Sequence, residues 1–346
     1  MRREGCMLAA VYRKEARGLR LEDLPEPLPG PGQMKISVRY ASICGSDLFL
    51  VRSGQLADGT VLGHEMSGVV DTLGDGVRGF LPGQPVIVRP VGCGSCAACA
   101  SAQENLCPQR LAIGLGALKG AFAEYLVVPQ EMAIPVPEGL DLKLACLAEP
   151  LATALHAIRL AGIGSNDRVV VLGAGGIGLC SVALLKALGV RWILVSEPQE
   201  GRRNRAMALG AQRGVDPMAE DLGKAVEEWK GKEGVTAVME CAGNSETTKL
   251  ALQMVAPGGK VALVGLVKGT VDWAPALTML KQIRIQGSFA NTQAECRECL
   301  GMMARGELNV EPMLEGVIPF QELPACMDRL LHAPGEGKLI VEVSFG

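Results

Sequence analysis

Four cysteine side chains are spaced so that they could converge on one metal ion: Cys93, Cys96, Cys99 and Cys107, with two, two and seven residues between them. Thiolates are soft, charged ligands that suit Zn²⁺, and four of them leave no open position for substrate. Disulfides are the alternative, but four cysteines so close together, in a chain without a recognisable secretion signal, are poor candidates for a disulfide framework. The spacing therefore predicts a structural zinc lobe at about residues 90–110.

A glycine-rich turn forms the second motif, because it follows an apolar strand (169–172) and precedes a helical stretch. It consists of Gly173, Ala174, Gly175, Gly176, Ile177 and Gly178. The first glycine would allow a tight turn, Gly175 would let the backbone approach a pyrophosphate, and Gly178 would let the helix pack closely on the strand. The free N–H groups at the helix start favour negative charge. The motif therefore predicts a dinucleotide site.

An acidic residue, Glu197, lies at the end of the next apolar strand (192–196), where it would accept hydrogen bonds from an adenosine ribose. Its charge would repel a 2′-phosphate, so we expect NAD to be preferred over NADP. Arg202 and Arg203 follow closely and would weaken that preference. Gly265, after a later strand, is expected at the same sheet edge and is therefore a further candidate for cofactor binding.

The composition is that of a reduced, cytoplasmic enzyme. The chain has 346 residues, 48% hydrophobic and 21% charged, which is enough for about two domains with a sizeable core. A formal net charge of −3 and the lack of a basic run argue against nucleic acid or a membrane surface as partner. No segment reaches the apolar length of a membrane span without charge or a Gly/Pro break. We expect a small-molecule substrate instead.

The predicted secondary structure that positions these motifs changes near residue 150. Before it, short alternating runs rich in Gly and Pro predict an irregular β-barrel. From Arg168 onward, apolar strands alternate with helical stretches, which predicts a parallel sheet covered on both faces. Two further helical stretches (293–304 and 321–332) and a terminal strand (338–343) follow. The fold class is therefore α/β, with a doubly wound parallel sheet beside a β-barrel.

The chain resembles the zinc-containing medium-chain dehydrogenase/reductase family, in its alcohol, sorbitol and threonine dehydrogenase group. The resemblance rests on the four-cysteine lobe, the glycine-rich turn and four short strings: Cys44-Gly45-Ser46-Asp47, Gly63-His64-Glu65, Ala123-Glu124-Tyr125 and Ala148-Glu149-Pro150-Leu151. The family implies a GroES-like catalytic domain (1–152), a Rossmann NAD-binding domain (153–290) and a C-terminal return to the catalytic domain (291–346). It also suggests a homotetramer or homodimer, with the apolar stretch 269–280 as a contact.

The resemblance further implies a second, catalytic zinc ion, so that each chain would hold two. Zn²⁺ acts as a Lewis acid that stabilises the negative charge an alcohol oxygen needs before hydride leaves its carbon. Cys44 and His64 match the family's thiolate and imidazole ligands. Glu65 and Glu149 match the carboxylates that complete the coordination directly or through water, and which of the two binds stays open.

Ser46 is the predicted first acceptor of the alcohol proton, because a hydroxyl can receive the proton and pass it on. Many family members have a histidine at the position of Phe49, so the proton would leave through water, the ribose hydroxyl or Glu149. The sequence thus predicts a zinc- and NAD-dependent dehydrogenase acting on a secondary alcohol of a polyol, sugar alcohol or vicinal diol. The alternatives are a threonine-type amino-alcohol dehydrogenase and a catalytically inactive NAD-binding structural or sensing protein.

Overall fold

Short strands dominate residues 1–149 in the computed structural model, which describes residues 5–115, 118–230, 234–267 and 269–343. The strands are β1 (Cys6–Arg13), β2 (Gly18–Pro25), β3 (Gln33–Ser42), β4 (Glu65–Leu73), β5 (Pro85–Val88), β6 (Tyr125–Pro129) and β7 (Ala133–Pro135). The helices among them are α1 (Gly45–Ser53), α2 (Ala97–Ala100) and α3 (Leu142–Ala145). These elements belong to the first of two compact units.

Strands and helices alternate in the second unit, which comprises 150–291 and 305–313. Its strands are β8 (Arg168–Leu172), β9 (Trp192–Ser196), β10 (Arg213–Val215), β11 (Val235–Glu240), β12 (Val255–Leu263) and β13 (Arg284–Gly287). The helices are α4 (Ala148–Leu160), which begins in the first unit, α5 (Gly176–Ala187), α6 (Glu200–Ala208), α7 (Leu222–Lys230), α8 (Ser245–Met254) and α9 (Pro275–Lys281).

The six strands of the second unit form one parallel sheet in the order β10-β9-β8-β11-β12-β13. This is the doubly wound order of dinucleotide-binding folds, with the reversal between β8 and β11. Both central strands are almost wholly buried, as their continuous apolar sequences require when helices cover both faces. The carboxyl ends of β8 and β11 are therefore where a ligand is expected.

The C-terminal part of the chain contains α10 (Gln293–Ala304), β14 (Leu314–Pro319), α11 (Leu323–His332) and β15 (Lys338–Glu342), all of which belong to the first unit. Residues 305–313, which the sequence assigns to the C-terminal return, lie in the second unit instead. There the Arg205 guanidinium donates to the carbonyl of Pro312 at 3.3 Å.

The last strand of the chain completes the sheet of the first unit, whose order is β14-β15-β3-β4-β5-β7, with β6 also paired to β3. β15 runs antiparallel to β3, with Ile340 opposite Ser42, and β4 pairs with the other edge of β3, with Glu65 opposite Ser42. The register therefore brings the ends of three strands together. In the described ranges, no helix has the length and apolar character that a membrane crossing requires.

Candidate functional site

Local backbone geometry presents Cys44 and His64 at the ends of neighbouring elements. Cys44 caps α1, and its backbone N–H donates to the buried carboxylate of Asp47 at 3.0 Å. Gly63 has a φ of +93°, and a Cβ there would lie 2.7 Å from the ring of Phe122. Only glycine fits this position, which directs His64 out of the turn just before β4.

Three potential metal ligands converge at this point, because the side-chain donor atoms of Cys44, His64 and Glu65 all lie within 4.8 Å of one another. His64 and Glu65 are buried, whereas Cys44 is half-buried. The Ser46 hydroxyl lies 3.3 Å from His64 Nε2. A thiolate, an imidazole and a carboxylate are the ligands of an open zinc site, so the residues present fit a catalytic Zn²⁺.

The two oxygens of Glu65 have different surroundings. Oε2 is paired with the Lys338 ammonium and accepts a hydrogen bond from the Ser42 hydroxyl. Oε1 is buried and has no hydrogen-bond partner among the residues that the structure describes. A buried carboxylate oxygen without a partner is costly, and a metal ion held with Cys44 and His64 would satisfy it.

The surroundings of His64 are anionic. Burial alone would lower the pKa of His64, but the charges of Asp47 and Cys44 outweigh burial and raise this pKa well above its ordinary value. Asp47 Oδ1 lies 3.4 Å from His64 Nδ1. The Asp47 carboxylate therefore lies on the Nδ1 side of the ring, whereas Nε2 lies beside the Ser46 hydroxyl. The same negative charges favour a divalent cation.

Glu149 is outside this set of three ligands. It lies in the first turn of α4 and is half-buried. Burial lowers the pKa of Arg110, and the charge of Glu149 acts in the opposite direction on the same guanidinium. The structure therefore brings Glu65 together with Cys44 and His64, and which of the two carboxylates would bind the ion stays a prediction.

The second cluster contains the four closely spaced cysteines, whose sulfur atoms all lie within 4.8 Å of one another. The sulfur of Cys96 lies 3.6 Å from that of Cys99 and 3.7 Å from that of Cys107. Four sulfurs bound at about 2.3 Å to one tetrahedral zinc ion lie about 3.8 Å apart, whereas a disulfide needs about 2.0 Å. The four cysteines Cys93, Cys96, Cys99 and Cys107 therefore fit a structural zinc ion.

Backbone elements around these cysteines support that arrangement. A Cβ at Gly92 would lie 2.5 Å from the sulfur of Cys99, so glycine leaves room for the thiolates. Backbone and side-chain hydrogen bonds from Ser95 lower the pKa of Cys93 to about 6, whereas burial raises the pKa of Cys99 to about 11. Only the shift at Cys93 favours the deprotonated thiol that a metal requires.

The glycine-rich turn joins β8 to α5 in the second unit. Gly173 has a φ of +91°, and a Cβ on Gly178 would lie 1.9 Å from the carbonyl oxygen of Gly173. Gly175 caps α5 and has open space where a Cβ would be, while Gly176 and Ile177 form the first turn of the helix. Open space beside free N–H groups at a helix start is the feature that accommodates a pyrophosphate.

Glu197 lies directly after β9 and faces this turn. Its carboxylate is buried and accepts hydrogen bonds from the backbone N–H groups of Ala174 at 2.8 Å and Gln199 at 3.1 Å. Arg203 donates to the carbonyls of Glu197 and Pro198 and pairs with Asp216 at 3.2 Å.

Arg202 is half-buried in α6. Its neighbour Arg203 is held by two carbonyls and an aspartate. A contact with the adenosine end of a cofactor therefore stays a prediction for Arg202 alone. Its side chain has other interactions within the protein.

Glu240 organises the adjacent sheet edge. Its buried carboxylate accepts hydrogen bonds from the backbone of Ala242 and Gly243 and from the Thr247 hydroxyl. A Cβ on Gly265 would lie 2.3 Å from the nitrogen of Gly243, so the loops after β11 and β12 touch at two glycines. The structure thus places Gly265 at the carboxyl edge of the sheet, next to the end of β11.

Sequence reasoning missed the roles of Ser42, Lys338 and Glu240. Lys338 contacts Glu65 although the two are 273 residues apart, and no local pattern indicates this pairing. A weak signal did exist for Lys338, because a single lysine begins an otherwise apolar terminal strand.

Comparisons with known proteins agree on one family. Residues 30–138 match the alcohol dehydrogenase GroES-like domain, and residues 176–305 match the zinc-binding dehydrogenase domain. Together these matches include both metal-ligand clusters and most of the parallel sheet.

Curated relatives extend over almost the whole chain. An L-threonine 3-dehydrogenase of Pyrococcus horikoshii is 34% identical, covering 89% of this chain and 90% of the relative. A 2-dehydro-3-deoxy-L-galactonate 5-dehydrogenase of Pseudoalteromonas atlantica is 30% identical over 91% and 92% of the two chains. A sorbitol dehydrogenase of Halalkalibacterium halodurans is 31% identical over 92% and 93%.

Two solved structures with the same fold are described with a bound nicotinamide dinucleotide. A zinc-binding dehydrogenase from Sinorhizobium meliloti bound to NADP has a TM-score of 0.90 and 31% identity, covering 98% of this chain and all of the other. An alcohol dehydrogenase from Escherichia coli complexed with NADH has a TM-score of 0.91 and 27% identity, with the same coverage.

Proposed function

The chain belongs to the zinc-binding alcohol dehydrogenase family, and we propose that it transfers hydride between NAD and a secondary alcohol of a polyol, sugar alcohol or vicinal diol. The comparisons confirm the predicted fold class, the oxidoreductase activity and the use of zinc and a nicotinamide dinucleotide. The convergence of Cys44, His64 and Glu65 within 4.8 Å is the single observation that carries the proposed reaction. An inactive cofactor-binding protein would have no need of this intact set.

Cys44, His64 and Glu65 Oε1 would hold the catalytic ion, and the four-cysteine lobe would hold a second, structural ion. When bound at the first site, zinc supplies a Lewis acid that favours loss of the alcohol proton. Glu149, which is not among these three residues, stays the second candidate carboxylate ligand.

Ser46 would receive the proton of the alcohol. Its hydroxyl lies 3.3 Å from His64 Nε2, and the residue is half-buried, which supports this role. A serine hydroxyl can accept one proton while it donates its own to water or a ribose hydroxyl. Phe49 lies one turn further along α1 and has no proton to exchange, so onward transfer from Ser46 would have to use another group.

A polyol fits the charges at the site better than an amino acid does. An amino-acid substrate requires a cation for its carboxylate, and the lysine that contacts the ligand set, Lys338, is already paired with Glu65 and buried. The threonine-type reaction is the second candidate, favoured by the 34% identity to the Pyrococcus horikoshii enzyme.

NAD is the cofactor we propose in preference to NADP. The supporting observation is the buried carboxylate of Glu197, which is fixed by two backbone N–H groups beside the glycine-rich turn. A phosphate brought next to this carboxylate would meet like charge. The Sinorhizobium meliloti relative binds NADP, so the preference of this chain for NAD has to be measured.

We propose that the chain forms a homodimer or homotetramer through the β13 edge of the parallel sheet. Among the residues that the structure describes, β13 is the end strand of this sheet, and the preceding segment exposes Trp273, Met279 and Leu280. Exposed strand edges with apolar neighbours are sites of association. We also propose a cytoplasmic location, because none of the twelve cysteines forms a disulfide, as is usual in a reducing compartment.

A substrate panel tests the proposed function. Zinc-loaded protein is mixed with NAD⁺ or NADP⁺ and with sorbitol, butanediol, ethanol or L-threonine, and the formation of reduced cofactor is followed at 340 nm. The proposal predicts turnover with a polyol or diol and NAD⁺. Faster turnover with L-threonine would select the second candidate, and no turnover with any alcohol would overturn the proposed function.

A further inference from the structure

A buried lysine from the last strand of the chain contacts the candidate zinc ligands of the first unit. Lys338 is 4% exposed, and its ammonium pairs with Glu65 Oε2 and donates to the carbonyl of Ile43 at 3.1 Å. The contact is fixed by register: Ile340 lies opposite Ser42, and the N–H of Ile43 donates to the carbonyl of Leu339 at 3.0 Å. The ammonium is therefore held at the end of β15 beside β3.

Two donors thus hold one oxygen of Glu65, while the other oxygen has none. The Ser42 hydroxyl donates to the same Oε2, and Ser42 and Glu65 are direct partners in the β3–β4 ladder. Oε1 is buried without a partner among the described residues. The carboxylate is therefore oriented so that a single oxygen is available to an ion bound by Cys44 and His64.

The charge of Lys338 affects how strongly the ligand set attracts that ion. As zinc ligands, Cys44 and Glu65 would together contribute two negative charges, and the buried ammonium of Lys338 would offset one of them. Opposite charges within a few ångströms interact strongly where water is excluded. An ammonium on Oε2 therefore reduces the electron density that Glu65 Oε1 can give to a cation.

We propose that Lys338, together with Ser42, is a positioning residue that limits Glu65 to a weak, single-oxygen ligand of the catalytic zinc ion. This inference rests on the proposed zinc site. Without Lys338, the carboxylate would lose its competing cation, and the apo site would contain a buried charge without a partner. Both effects make zinc binding more favourable. The chain would thus use its last strand to keep the ion exchangeable at Glu65.

Zinc affinity tests the inference without use of the reaction. Apo protein is titrated with Zn²⁺ against a chromophoric chelator, and a Cys44→Ser variant identifies the step that belongs to the structural ion. Lys338→Met is expected to lower the Kd of the catalytic site about tenfold. Ser42→Ala, a smaller change that preserves the strand, is expected to lower this Kd about threefold. Lys338→Arg retains the charge and should leave it within threefold of the wild-type value.

Matched variants separate this role from general destabilisation. Lys35 is also buried and pairs with Glu26 and Asp71, outside both metal-ligand clusters. Lys35→Met should reduce the free energy of unfolding and leave the zinc Kd unchanged. In a Glu65→Gln background, Lys338→Met should change the Kd by less than threefold, because the effect acts through the carboxylate.

The outcomes distinguish the inference from the function on which it rests. A wild-type protein that binds only one zinc ion per chain would overturn both. Two ions per chain, with a Kd that stays unchanged or rises in both Lys338→Met and Ser42→Ala, would overturn the inference alone. A tighter catalytic site in these variants, absent in Lys35→Met, would establish it.

Discussion

Two glycines of the same turn are expected to respond in opposite ways when a methyl group is added. A Cβ on Gly178 would lie 1.9 Å from the carbonyl oxygen of Gly173, which is backbone and cannot move aside cheaply. Apart from its neighbours in the chain, no described residue comes within 4 Å of a Cβ on Gly175, whose φ of −67° suits alanine. Gly178→Ala should therefore damage the fold, and Gly175→Ala should damage cofactor binding only.

The magnitudes follow from these distances. Overpacking of the kind expected in Gly178→Ala costs about 2 kcal/mol. At about 3 °C per kcal/mol, the Tm should fall by about 6 °C. For Gly175→Ala, the free energy of unfolding should change by less than about 0.5 kcal/mol. The methyl group would occupy space that the pyrophosphate needs and displace it from an N–H donor. A charge-assisted hydrogen bond is worth about 1.5–3 kcal/mol, so the Kd for NADH should rise at least about tenfold.

Two assays on the same preparations measure these effects. Thermal unfolding gives the Tm, and a fluorescence titration with NADH gives the cofactor Kd. Zinc content serves as the control, because neither glycine lies in the unit that holds the metal-ligand clusters. Wild-type NADH affinity in Gly175→Ala, or an equal loss of Tm in both variants, would refute the assignment of these glycines.

Further predictions concern the metal clusters, cofactor choice and acid stability. Cys44→Ser should abolish turnover and retain the Tm, whereas Cys99→Ser should lower the Tm. Zinc content is measured on the same samples, and normal activity in Cys44→Ser would contradict the metal mechanism. Glu197→Ala should reduce the ratio of kcat/KM with NAD to kcat/KM with NADP about tenfold, which corresponds to a loss of about 1.4 kcal/mol of discrimination. An unchanged ratio would contradict the role proposed for Glu197. Burial alone would raise the pKa of Asp167, but the hydrogen bond from Lys260 and others lower it. This pair therefore stabilises the fold at neutral pH, and its contribution is lost as the pH falls below the ordinary value of 3.8. Asp167→Asn should be less stable than wild type to urea at pH 7 and should approach it in acid; an equal difference at both pH values would contradict this.

Much of the fold could be predicted because periodicity is a local property. The helix predicted at 293–304 has those bounds in the structure, and the predicted strand at 192–196 is β9. Alternating apolar strands and helices also predicted the parallel sheet of the second unit. In contrast, α1 has little amphipathic character, and the β1–β2 hairpin carries no strong turn signal, so neither was expected.

The candidate site was predictable only where its residues are neighbours in sequence. The four-cysteine lobe and the glycine-rich turn each lie within one short segment, so spacing alone indicates their chemistry. The proximity of Glu65 to Cys44 could not be predicted from sequence, because it depends on the β3–β4 register, and the choice between Glu65 and Glu149 as ligand stays a prediction. The contact of Lys338 with Glu65 likewise depends on the β15–β3 pairing, which no local pattern encodes.

Zinc content and NADH formation, measured on the same preparations of wild-type protein and Cys44→Ser, test the central claim most directly. The account predicts two zinc ions per chain and polyol- or diol-dependent NADH formation in the wild type, and one ion with no turnover in a folded Cys44→Ser variant. Equal zinc content in the two proteins, or turnover that survives the substitution, would contradict catalysis at the Cys44, His64 and Glu65 site.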